Sequence, residues 1–284
     1  MQHDLKLLQR TDFPERLREI PGAPKRLYLR GKLPSFERKW LAVVGSRAIT
    51  PYGRQVVEYL INGLRGYPIV IVSGLAYGVD AEAHKAALKA GLTTVGVPGS
   101  GLDWSVMYPR ANVALAREIL AAEGALLSEE EPLMKATDYT FPKRNRVMAG
   151  LCQATLIVEA REKSGSLITA KLAADYNREV LVVPGPIFSA ESNGTHQFLR
   201  LGATAITSPE DILQALGITT RSQETLRSDL SQDELRVLTA IASPLSRDEL
   251  VRALEMPIQE ANTLLSIMEI KGLIVEELGV VRVR

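Results

Sequence analysis

From Trp40 onward, short apolar runs alternate with longer stretches whose apolar residues recur every three or four positions. The runs are "LAVVG" (41–45), "IVIVSG" (69–74), "TTVGV" (93–97), "ALLS" (125–128), "TLIVEA" (155–160), "VLVVPG" (180–185) and "TAI" (204–206). Runs apolar throughout suit strands covered on both faces. The stretches between them, such as "PYGRQVVEYLINGLR" and "SLITAKLAADYNRE", have helical period. That order predicts an α/β unit over residues 40–217, a doubly wound parallel sheet with helices on both faces.

The pattern changes after Gly217. Residues 218–230 are polar and weakly patterned, and read as a linker. Residues 231–284 predict a helix over 232–242, a Ser-Pro break, and a second helix capped by Ser246 with Glu249 at the capping-box position. A third helix near 258–271 precedes "LIVEELGVVRV", two short strands about a Leu-Gly turn. Three helices and a hairpin form the winged-helix pattern. Residues 1–39 hold no long periodic segment. With four prolines and two glycines in "FPERLREIPGAPKRLYLRGKLP", they are expected to form an irregular arm packed on the main unit.

Composition narrows the partners. Lys plus Arg (34) nearly cancels Asp plus Glu (33), so an electrostatic partner must meet a local patch. Cys152 is the only cysteine, which excludes an intramolecular disulfide and a cysteine-cluster metal site and suits a reducing cytoplasm. No run of about 18 uncharged apolar residues predicts a membrane span.

Glycine-bearing loops follow the predicted strands. "GSRAITPYG" (45–53) frees the backbone at Gly45, caps a helix with Thr50 and places Arg47 beside its first amides, an arrangement suited to phosphate. Gly74 and Gly78 open the second loop, with Asp80 at the start of the next helix, and His84 inside that helix reads as a packed residue rather than a base. The third loop brings Asp103, Trp104, Tyr108 and Arg110. Ser164, Gly165, Ser166 and Thr169 offer amides and hydroxyls at another helix start.

The densest charge is "FPKRNR" (141–146). Cations at a helix N-terminus oppose its dipole, a local cost that points to function. Between 135 and 178 eight cations face four acids. The alternative is that Glu129, Glu130 and Glu131 simply pair with this cluster. We find no nucleophile beside a base, no close carboxylate pair and no metal-ligand spacing, so neither catalysis, metal nor cofactor is expected. Amides and cations along several loops, with Phe141, Tyr108 or Trp104 to stack bases, describe a single-stranded nucleic-acid track.

In order, "VVGSRAITPYG", "SGLAYGVDAEAHKAAL", "GVPGSGLDWSVMYPRAN", "LLSEEEP", "FPKRNRVMAGL", "LIVEAREKSGSLITAKLAADYNREVLVVPG" and "NGTHQFLRLGA" closely resemble the DprA family of bacterial DNA-processing proteins, over about residues 12–216. The resemblance implies an extended Rossmann domain, usually homodimeric, that binds single-stranded DNA without being an enzyme. It further implies protection of incoming strands during natural transformation and loading of the RecA recombinase, relieving the block by single-stranded-DNA-binding protein. By motif, the DNA-contacting positions it carries over are Gly45, Ser46, Arg47, Phe141, Lys143, Arg144, Asn145 and Arg146. The 164–169 loop and Gly74 come from the residues themselves. Many relatives begin with a helical domain, whereas only about forty residues precede the sheet here.

Between 229 and 284 ten acids outnumber six cations, and the third helix holds two glutamates and one lysine. A groove reader brings phosphate-binding cations. A protein contact or dimer support is therefore expected of this unit, with Arg282 and Arg284 as the contrary signal. Two other functions stand beside DNA binding. A nucleotide phosphoribohydrolase of the lysine-decarboxylase-like group would need Pro-Gly-Gly-x-Gly-Thr and a following glutamate, which "VPGPIFSAESNGTHQF" lacks. A transcription regulator would need duplex binding by the acidic third helix.

Overall fold

The computed structural model describes residues 4–219, 231–241, 245–254, 256–271, 273–277 and 279–283. They divide into two units, one ending at Ile218 and one beginning at Thr219. Most of the expected linker, 220–230, lies outside the described residues.

The N-terminal arm is not irregular. β1 (Lys6–Gln9) pairs antiparallel with β2 (Arg26–Gly31), and α1 (Glu15–Arg18) lies between them. β2 in turn pairs antiparallel with β6 (Ala125–Ser128), Tyr28 opposite Ser128. Leu27, Tyr28 and Leu29 are all buried, so no alternation marks the strand, and its partner lies a hundred residues away.

The rest of the first unit follows the predicted alternation. β3 (Lys39–Val44), α2 (Pro51–Gly63), β4 (Ile69–Ser73), α3 (Val79–Lys89), β5 (Thr93–Gly96) and α4 (Val113–Ala121) lead to β6. After it come α5 (Thr140–Leu151), β7 (Ala154–Ile157), α6 (Gly165–Asp175), β8 (Glu179–Val182), α7 (Asn193–Arg200), β9 (Thr204–Ala205) and α8 (Pro209–Ala215). The described strands of this unit form one sheet in the order β1-β2-β6-β5-β4-β3-β7-β8-β9, parallel from β6 to β9. The fold is thus a mostly parallel α/β sheet with antiparallel strands added at one edge.

β3 shows why the sheet is covered twice. Trp40, Ala42 and Val44 pack into a core with α5 and α6, while Leu41 and Val43 pack into a second core with α2, α3 and α8. Chain order reverses at β3, with β4 on one side and β7 on the other. A crevice therefore opens beyond the carboxyl ends of β3 and β7, where such sheets hold ligands.

The second unit contains α9 (Gln232–Ala240), β10 (Leu245–Ser246), α10 (Arg247–Ala253), α11 (Ile258–Ile270), β11 (Ile274–Glu277) and β12 (Val280–Val283). Its strands form the antiparallel sheet β10-β12-β11 over a core that includes Val237, Leu250, Leu265, Met268 and Val281. The winged-helix expectation holds, including the Ser246–Glu249 capping box. The first helix ends at Ala240 rather than 242.

Candidate nucleic-acid interface

A cleft of about 700 Å³ occupies the crevice between β3 and β7. It gathers Gly45, Ser46, Arg47, Phe141, Arg144, Asn145, Ser164, Gly165, Ser166 and Thr169, so most of the residues expected to touch DNA share one site. Gly45 must be glycine, because a Cβ there would stand 2.6 Å from Val79 and 2.9 Å from the Glu159 carbonyl.

The helix starts around the cleft are not equivalent. The sequence suggests an open phosphate site at the α2 N-terminus, but the protein's own Glu159 fills it. The Glu159 carboxylate accepts from the Thr50 amide (3.0 Å) and the Thr50 hydroxyl, and its carbonyl accepts from the Ser46 amide at 2.7 Å. A buried carboxylate satisfies the dipole and orphan amides as an anion would. Asp80 plays the same part at the next loop, accepting from the Gly74 and Ala76 amides at 3.1 and 3.3 Å.

The start of α6 differs. Ser164 caps it by accepting from the Ser166 amide, no acid stands in its first turn, and Lys163 precedes it on the exposed side. A Cβ added at Gly165 would meet nothing within 4 Å. Unlike the loops before α2 and α3, which hold Glu159 and Asp80, the start of α6 is open to an external anion.

The basic stretch splits in three. Arg144 is only 8% exposed; its guanidinium donates to the Val97 carbonyl at 2.8 Å and to Asn145 Oδ1 at 3.0 Å. It occupies the space of a side chain at Gly74, whose added Cβ would lie 1.5 Å from Nη1 and 2.6 Å from Asp80 Oδ2. Gly74 therefore makes room for Arg144 rather than for a ligand. Burial pulls Arg144 below the usual arginine range against the opposing pull of Asp80, and pushes Asp80 above the usual carboxylate range against the pull of Arg144. Asn145 extends the chain, donating to the Gly165 carbonyl at 3.4 Å. Arg146 and Lys143 lie outside the cleft lining, held by Glu129 (2.5 Å) and Glu130 (3.0 Å), while Glu131 takes Arg26 and the Tyr28 hydroxyl. Two acids of the run, Glu129 and Glu130, pair with the cluster, and Glu131 does not.

What remains for a ligand is Arg47 and Lys163, both exposed, with Arg161, which donates to Glu191 at 2.5 Å while its side chain stays largely exposed. Arg47 lies 5.2 Å over the Phe141 ring, which in turn stands 6.2 Å from the ring of Tyr108. Gly99 gives Phe141 its place, since a Cβ there would approach the ring to 2.7 Å. Trp104 is not free to stack, because Arg30 and Arg117 cover its ring at 5.1 Å each. Arg110 is spent on the carbonyls of Trp104 and Ser105. Thr169 is buried and offers no exposed hydroxyl. Asp80 and Glu159, which decide where anions can sit, received no such role from the sequence reading. Their signal was present, an acid at a helix start and an acid closing a strand.

A family model for DNA recombination-mediator protein A matches residues 5–217. The chain belongs to the DprA family. A DprA winged helix domain model matches residues 221–279. The DNA processing protein DprA of Streptococcus pneumoniae is 42% identical over 201 residues, 71% of this chain and 70% of that one. Protein Smf of Escherichia coli is 40% identical over 204 residues, but this chain spans only 54% of its length. Among solved structures, S. pneumoniae DprA superposes with a TM-score of 0.69 at 39% identity, covering 74% of each chain. DNA processing protein A of Helicobacter pylori, described with a unique single-stranded DNA binding mode, superposes at 0.67 with 30% identity, over 81% of this chain and 99% of that one. No described helix is long and apolar enough to cross a membrane.

Proposed function

We propose that this chain binds single-stranded DNA with little sequence preference in the β3–β7 cleft, protects it and loads a RecA recombinase onto it, as a homodimer and without catalysing a reaction. The observation that carries the reading is the division of charge just described. Internal carboxylates occupy the floor, and Arg47, Arg161, Lys163 and the α6 start surround Phe141 at the rim. Phosphates sit on those cations and amides while bases lean on Phe141. The DprA family and the single-strand binding of the H. pylori relative support the same conclusion.

Fluorescence anisotropy of labelled oligo-dT and its duplex across salt tests it. With about three phosphates neutralised, the log-log slope against salt is near −2, at roughly 0.7 per phosphate. Arg47→Ala and Phe141→Ala each weaken binding about tenfold, the lower part of the range for a stacked base or a charged contact. Equal binding by all three proteins, or a flat salt response, overturns the reading.

The winged-helix unit fits a protein contact better than duplex reading. Its Arg247 is engaged by Glu269 at 3.0 Å and Glu276 at 2.8 Å, which removes a phosphate-binding cation, while α11 exposes Ile258. The side chains of Arg282 and Arg284 lie outside the described residues.

A further inference from the structure

The turn that follows β8 presents two apolar side chains to solvent. Phe188 is 96% exposed and Ile187 74%. They are the central residues of a tight turn closed by the Ser189 amide donating to the Pro186 carbonyl at 3.0 Å. Its base is pinned from several directions. The Tyr52 hydroxyl donates to the Pro184 carbonyl at 2.8 Å, His196 Nε2 lies 3.0 Å from the Gly185 carbonyl, and the Ser192 amide donates to the Ser189 carbonyl at 3.0 Å. The tip is therefore an anchored projection.

Its neighbours identify what it meets. β8 adjoins β7, and β7 adjoins β3, so the tip rises from the same carboxyl edge as the cleft, about 10 Å along at roughly 4.8 Å per strand. Arg161 links the two places: it lines the cleft and pairs at 2.5 Å with Glu191, three residues beyond Phe188, while its side chain stays largely exposed. Rings and cations thus succeed one another along the edge, from Tyr108 and Phe141 through Arg47 and Arg161 to Phe188. Two side chains on a narrow turn are too little for a protein interface, which takes about 800 Å² from each partner. One aromatic face flanked by a cation suits one nucleobase.

We propose that Phe188 is a base-stacking platform that extends the single-strand track beyond the cleft, with Arg161 meeting the intervening phosphate. This rests on the DNA-binding reading above. The test compares oligo-dT of about 6 and about 20 nucleotides, bracketing the usual site sizes, against wild type, Phe188→Ala and Phe188→Trp. Both variants change an exposed side chain, so folding is not at issue. Phe188→Ala is expected to weaken the longer strand about tenfold, within the range for one lost stack, and to leave the shorter one unchanged. Phe188→Trp keeps wild-type affinity, and its emission is quenched by the longer strand only. Unchanged affinity of Phe188→Ala for the longer strand, with a tryptophan indifferent to it, overturns the proposal and turns attention to a protein partner. Equal weakening of both lengths also overturns it, by placing the ring inside the cleft's own track. If wild type binds neither length, the DNA-binding reading itself falls and takes this inference with it.

Discussion

Arg144→Ala is expected to destabilise the α/β unit by about 3–5 kcal/mol, the cost of leaving a buried charge without its partner. Asp80 is buried and faces that guanidinium, and Arg144 also ties the Val97 carbonyl to Asn145 and, through it, to the start of α6. Gly74→Ala should behave alike, because its methyl group would displace the guanidinium. Urea denaturation at neutral pH measures both. Arg47→Ala, at an exposed position, should stay within about 0.5 kcal/mol of wild type while losing DNA affinity. Adding Asp80→Asn to Arg144→Ala should recover part of the loss, since an amide oxygen can still accept from the Gly74 and Ala76 amides without a stranded charge. If Arg144→Ala melts like wild type yet no longer binds DNA, the arginine is a ligand contact and not a strut.

A second large effect concerns acid. His84 is fully buried against Thr94, 2.7 Å from its hydroxyl, and among the described residues its Nε2 has no hydrogen-bond partner. Burial holds its pKa at about 3, opposed by an upward pull from the Ser73 carbonyl and helped to a smaller extent by the charge of Arg144. In the unfolded chain it titrates near 6.5. A depressed folded value means the stability is fully present above about 6.5 and is lost as pH falls toward 3, at up to about 1.4 kcal/mol per pH unit and about 5 kcal/mol in all. Burial moves Asp80 the other way, so its protonation offsets part of the loss at the acid end. Between pH 6.5 and 5, where most carboxylates stay ionised, about 2 kcal/mol should disappear. Urea melts across that interval check this, and His84→Gln should flatten the dependence. An unchanged slope in the variant would assign the acid sensitivity elsewhere.

Much of this architecture is local information. Seven apolar runs, three of them ending in glycine, mark the parallel strands, because strands covered on both faces favour apolar residues throughout. Thr50, Ser164 and Ser246 announce helix starts because an orphan amide wants a nearby oxygen, and all three side chains cap as expected. The family resemblance rests on the same loops, where glycine is required by close backbone approach, as Gly45 shows against Val79. The gathering of those loops into one cleft follows from strand order, since a sheet that reverses at β3 must open there.

Pairings between distant residues are another matter. β2 is invisible as a strand because its partner, β6, is remote and its residues alternate between two cores rather than between core and solvent. Composition places a cationic surplus near residues 141–146, and only the tertiary structure shows that Lys143, Arg144 and Arg146 each face an acid, at Glu130, Asp80 and Glu129. Glu159 reaches the start of α2 across more than a hundred residues, so no local pattern could reveal that this phosphate site is already filled. The sequence alone determines that the chain builds glycine-rich loops on a parallel sheet, because backbone sterics and burial act on near neighbours. Which charges stay free to meet a ligand is decided by folding, because charge compensation acts through space.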